Sequence, residues 1–154
     1  MTDQKVALVT GASSGIGEAS ARLLAEADFR TFGTSRSSDA DGPDGVTMLQ
    51  LDVTDDASVN ACVGEVLAQA QRVDVIVNNA GFGIFAAGEE TSIEEAHAIF
   101  EVNVFGALRM CKAVLPGMRE RGSGRIINIA SGAGIVAVPF EALYSATKFA
   151  LRGM

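Results

Sequence analysis

The sequence predicts an α/β fold, a doubly wound parallel sheet in three α/β/α layers, on three observations. Short runs rich in β-branched residues alternate with longer helical ones along the chain. Runs such as Val73-Asp74-Val75-Ile76-Val77 are nearly continuous in apolar residues, as expected of strands covered on both faces. Gly11, Gly15 and Gly17 fall at the junction of the first strand and the first helix.

In chain order, Val6–Thr10 is expected as a strand, followed by a helix over Ile16–Ala27. Strands at Arg30–Ser35 and Val46–Leu51 precede a helix over Ala57–Gln71, and a strand follows at Val73–Asn78. Ser92, with Glu95 three residues on, forms the pattern of a capping box. It opens a helical stretch, Ile93–Arg121, long enough for two helices. Pro116 should kink or divide that stretch near Ala113–Leu115, because proline lacks the N–H the helix needs. Arg125–Ala130 is the fifth strand, and a last helix starts at Glu141. Loops at Ser37–Gly45 and Glu120–Gly124 collect Gly, Ser, Pro and Asp.

The 154 residues, 48% of them apolar, suit one domain of ordinary size spanning 1–154. Acidic residues outnumber basic ones 19 to 12, and a net charge of −7 disfavours nucleic acid or an anionic membrane as partner. Cys62 and Cys111 lack CxxC spacing and read as reduced core thiols, so no metal site is expected. Met1-Thr2-Asp3-Gln4-Lys5 leads straight into a strand without a basic leader, and no apolar run approaches the ~18 residues of a membrane span. A cytoplasmic protein is the expectation. His97, alone on an amphipathic helix, is assigned no role.

A pyrophosphate bound at a strand–helix junction needs a tight turn, a bare backbone and helix N–H groups aimed at the anion. The loop Thr10-Gly11-Ala12-Ser13-Ser14-Gly15-Ile16-Gly17 offers these, with Ser13, Ser14 and Ile16 beside the glycines, although its G-x-x-x-G-x-G spacing departs from G-x-G-x-x-G. At the end of the second strand stands Arg36, and no carboxylate appears before Asp39. An arginine there accommodates the extra phosphate of NADP, so NADP is favoured over NAD.

Reduction of a carbonyl by hydride transfer needs a proton donor at the forming alkoxide, and a phenol serves best beside an ammonium. Tyr144 is the only tyrosine, and Lys148 lies four residues on, the same face of a helix. Ser131 follows the fifth strand at its carboxyl end, where ligands bind in open parallel sheets, and its hydroxyl can bond the substrate oxygen.

With these residues in place, the chain resembles the N-terminal part of a short-chain dehydrogenase/reductase, along its whole length. The motifs that carry the resemblance are the Thr10–Gly17 loop, Leu51-Asp52-Val53, Asn78-Asn79-Ala80-Gly81, Asn103-Val104-Phe105-Gly106, Ser131 and Tyr144-Ser145-Ala146-Thr147-Lys148. The resemblance implies a Rossmann fold and an NADP(H)-dependent oxidoreductase acting on a small-molecule alcohol or carbonyl compound. It also implies that Asp52 and Val53 contact the adenine, that Asn79, Ala80 and Gly81 lie along the cofactor, and that Lys148 and Tyr144 reach its nicotinamide ribose. Asn103 would anchor a water in a proton relay from Lys148. Gly81-Phe82-Gly83-Ile84 and Pro139-Phe140 would border a substrate pocket of apolar character.

Family members continue about a hundred residues beyond the position of Met154, with two more strands. The sequence is therefore read as incomplete at its C-terminus, with Arg125–Ala130 left as a sheet edge open to pairing. On that reading the chain alone binds cofactor weakly, self-associates as a homo-oligomer and reduces carbonyls little. Two alternatives stand beside it: a non-catalytic nucleotide-binding module, and a sugar-nucleotide epimerase or dehydratase of the extended branch. The glycine spacing speaks against the latter.

Overall fold

The structure, a computed structural model, describes residues 4–37 and 39–154. The leading Met1–Asp3 and Ser38 of the Ser37–Gly45 loop lie outside the described residues.

Five strands form one sheet among the described residues: β1 (Val6–Val9), β2 (Arg30–Ser35), β3 (Val46–Gln50), β4 (Val75–Asn78) and β5 (Arg125–Asn128). Their order is β3-β2-β1-β4-β5 and every pairing is parallel. The helices between them are α1 (Gly15–Glu26), α2 (Asp56–Ala70), α3 (Ile93–Phe100), α4 (Ala107–Glu120) and α5 (Ala142–Gly153). The chain passes from β1 to β2 and β3 on one side, then returns to place β4 on the other. Strand order thus reverses between β1 and β4, and a crevice opens beyond their carboxyl ends.

β1 is buried at every residue, in keeping with its unbroken apolar run. One face of the sheet carries the larger core, where Leu8, Phe32 and Ile76 pack with Val59, Val63 and Val66 of α2 and Met110, Val114 and Met118 of α4. Fully buried Phe32 sits at its centre, and truncation to Ala should cost about 3–5 kcal/mol. The opposite face is thinner: Val9 and Val77 meet Ala12 and Ala21, with Leu24 and Ile129 partly buried beside them. At the lower end of the sheet the Asp74 carboxylate accepts from Val6 N–H at 2.8 Å and from Arg72 at 2.6 Å. Burial pushes that carboxyl up, yet the Arg72 and Val6 hydrogen bonds outweigh it and hold it below the usual range.

The long helical stretch does divide, but not at the proline. Pro116 lies inside the continuous α4, and the break falls earlier, where Glu101–Gly106 winds as a π-helix between α3 and α4. Wider turns of this kind concentrate at functional segments, and this one carries Asn103. Arg109 fixes it: its guanidinium bonds Glu101 at 2.5 Å, Asp56 at 2.8 Å and the Val53 carbonyl at 3.4 Å. The Ser92–Glu95 capping box is formed in both directions at the start of α3. Cys62 and Cys111 are free and buried, and burial pushes the Cys62 thiol up to about 11.

Candidate active site

A cavity of about 1440 Å³ occupies the crevice at the carboxyl ends of the strands, larger than a pocket for one drug-sized ligand. Its walls include Gly11, Ser13, Ser14 and Ile16 from the glycine loop, Arg36, Asp52 and Val53, Asn79, Ala80 and Gly81, and Tyr144 and Lys148. Gly15, Gly17, Asn103 and Ser131 are not among its lining residues; Gly17 and Asn103 are buried.

The loop after β1 owes its shape to a buried hydroxyl. Thr10 Oγ1 donates to the Val77 carbonyl at 3.4 Å and accepts the N–H groups of Asn79 at 3.0 Å and Ala80 at 2.9 Å. In return the Asn79 amide donates to the carbonyls of Thr10 and Gly11, both at 3.0 Å, and Gly11 N–H reaches Thr34 Oγ1 at 3.3 Å. The β1 and β4 loops are thereby locked together across the switch point. Gly15 adopts φ +59°, the left-handed region, to begin α1. At Gly17 a Cβ would collide with the Gly11 carbonyl and the Asn79 side chain, so only glycine lets α1 press this close.

Ser14 is extended and its side chain does not cap α1. The first N–H groups of that helix are thus left for an anion at the cavity wall. This uncapped terminus over a glycine cradle fits the pyrophosphate of a dinucleotide. At the end of β2, Ser35 and the following Arg36 and Ser37 line the same cavity. Asp52 is engaged by Thr54, whose N–H and hydroxyl donate to it at 2.9 and 2.7 Å, and these bonds hold its carboxyl below the usual range.

Tyr144 and Lys148 stand one turn apart on α5, with Lys148 Nζ 5.5 Å from the centre of the Tyr144 ring. Lys148 is buried and its ammonium donates to the Ile129 carbonyl at 2.8 Å. Desolvation lowers its pKa from the ordinary lysine value. An ammonium has three donors, so further ones remain for a ligand. Asn103 is buried behind them, where its amide donates to the Phe82 carbonyl at 2.9 Å and to Thr147 Oγ1 at 3.1 Å, and its oxygen accepts Phe82 N–H at 3.0 Å. Ser131 caps a short 3-10 turn, Gly132–Gly134, accepting Ala133 N–H at 3.2 Å.

Residues 5–154 match the family model described as short chain dehydrogenase. The chain belongs to that family. It is 43% identical over 149 residues to a 3-ketodihydrosphingosine reductase of Bacteroides thetaiotaomicron, covering 97% of this chain and 55% of that one. A short-chain dehydrogenase structure from Streptomyces avermitilis superposes with a TM-score of 0.93 at 44% identity, over 99% of this chain and 58% of the other. An actinorhodin polyketide ketoreductase structure with NADPH gives 0.91 at 38% identity, over 98% and 62%. The chain spans about half the length of the curated relatives it matches. Neither the epimerase nor the non-catalytic module is favoured by these matches.

The sequence motifs include Thr10 and Thr147 without giving them a role, and Thr34 and Arg109 lie outside them; all four hold the site from behind. Thr10 carried a signal, a polar residue ending an apolar strand run, where a buried hydroxyl must find partners. Thr34, inside β2, and Arg109, whose partners Asp56 and Val53 are distant in sequence, carried none.

Proposed function

We propose that this chain carries the cofactor-binding and catalytic part of an NADPH-dependent carbonyl reductase. The observation that carries the proposal is the Tyr144–Lys148 pair on α5, facing one cavity with the glycine loop and Arg36. NADPH, when bound, supplies the hydride. Tyr144 donates the proton to the substrate oxygen, and Lys148, held by Ile129, places a cation beside the phenol and keeps donors for a ribose. Ser131 orients the same oxygen, while Asn103 keeps the Phe82 loop and Thr147 in register behind Tyr144. Arg36, with Ser35 and Ser37, selects the cofactor carrying an additional phosphate. Two relatives are named for reducing ketones and one is described with NADPH, which supports both the direction and the cofactor. Buried thiols at Cys62 and Cys111 accord with a reducing, cytoplasmic setting. No described helix is long and apolar enough to cross a membrane.

The test is oxidation of NADPH on adding a carbonyl substrate, followed by its absorbance, with Tyr144→Phe alongside. Substrate-dependent turnover that vanishes in Tyr144→Phe supports the reading. Undiminished turnover in that variant removes the phenol from the mechanism.

A further inference from the structure

Val53, in the turn after β3, and Val102, in the π-helix, both line the cavity although they lie far apart in the chain. Strand order puts Val53 at the Arg36 end, since β3 and β2 are neighbours at one side of the sheet, while Lys148 is held by Ile129 after β5 at the other. Within its own turn the Val53 segment is tied to α2: Asp52 N–H donates to Ser58 Oγ at 2.9 Å and Asp55 N–H to the Asp52 carbonyl at 3.2 Å. Toward the π-helix it meets Gly106 and Arg109. Gly106 is bare where a Cβ would stand 2.7 Å from Val53 Cγ2, and Arg109 Nη1 donates to the Val53 carbonyl at 3.4 Å. The same guanidinium donates through Nη2 to Glu101, the neighbour of Val102, at 2.5 Å, and through Nε to Asp56 at 2.8 Å. Its donors sit in a rigid planar fork, so one side chain sets three segments relative to one another. Arg109 does not itself line the cavity and acts on it through Val53 and Val102.

We propose that Arg109 is a positioning residue for the adenosine half of the cofactor, one that fixes Val53 and Val102 as apolar walls for its flat base. The proposal rests on the NADP reading of the cavity and adds what shapes its nucleotide end. A planar base needs apolar surfaces at a fixed separation, and surfaces borne by separate segments keep that separation when the segments are tied together from behind.

Binding alone tests the tie. 2′,5′-ADP fills the adenosine half and reduced nicotinamide mononucleotide the other, so calorimetric titration of each separates the two ends. Arg109→Met should weaken 2′,5′-ADP about tenfold and leave the mononucleotide within about twofold. Arg109→Lys keeps the charge without the fork and should show the same loss, whereas simple attraction between a cation and the phosphates would be restored by lysine. Glu101→Gln loosens the π-helix side of the tie and should weaken 2′,5′-ADP about threefold, again sparing the mononucleotide. That variant decides the matter if Arg109→Met does not fold. Unchanged 2′,5′-ADP affinity in Glu101→Gln, full recovery in Arg109→Lys, or equal weakening of both fragments would each overturn the proposal. Failure of the NADP reading appears separately, in the unmodified chain, as 2′,5′-ADP that does not bind even at millimolar concentration, and takes the proposal with it.

Discussion

Around Thr10 the cavity wall is cross-tied through a single buried hydroxyl that uses its full bonding capacity, whereas Phe85 on the wall and Phe140 beside it present exposed rings, Phe140 on a left-handed backbone. On the proposed function the first region serves a dinucleotide's phosphates, for which backbone N–H groups fixed in advance are best suited. The second offers apolar surface instead. The two regions thus differ in what each can bind, rigid polar satisfaction at one end and exposed apolar surface at the other.

That division can be broken at either end, and the largest effect should come where the two meet. Tyr144→Phe is expected to lower kcat by about 10²–10⁴-fold while leaving cofactor affinity nearly unchanged, as single-turnover and binding measurements would show. Lys148→Ala should damage both, since its ammonium stands beside the Tyr144 ring and keeps donors for a ribose; if it spares cofactor affinity, the ribose contact is not made.

Thr10→Val should strike the cofactor end alone. It strands the N–H groups of Asn79 and Ala80, at a cost of about 2–4 kcal/mol in chemical denaturation, and weakens cofactor binding with it.

The smallest effect concerns acid. The Asp52 and Asp74 carboxyls both lie below the ordinary 3.8 in the folded chain. Their contribution to stability is therefore complete above pH 3.8 and is lost as pH falls below it toward the folded values. Asp74→Asn should flatten that acid limb of the stability curve relative to the unmodified chain; an unchanged limb would mean Arg72 and Val6 do not favour the charged form.

The same contrast governs what could be read from the sequence. Alternating β and α runs gave every strand, because an apolar stretch of four to six residues between turn signals has few other uses. Gly17, Tyr144 and Lys148 were legible since each type is tied to one task at fixed spacing. Pro116 misled. Loss of one N–H was tolerated inside α4, while the actual interruption at Glu101–Gly106 is a matter of winding that no residue type announces. The strain at Phe140 was hidden for a related reason: φ is set there by Ala86, fifty-four residues away, and by Val138 and Ser145, not by phenylalanine's own preference.

The proposed function requires a preorganised end of the cavity to select NADP through Arg36. Fluorescence titration of NADPH and NADH into the unmodified chain and Arg36→Ala tests it most directly. NADPH should bind about ten- to a hundredfold tighter than NADH, the value of an arginine–phosphate pair, with the gap closing in Arg36→Ala. Equal or reversed affinities in the unmodified chain would contradict it.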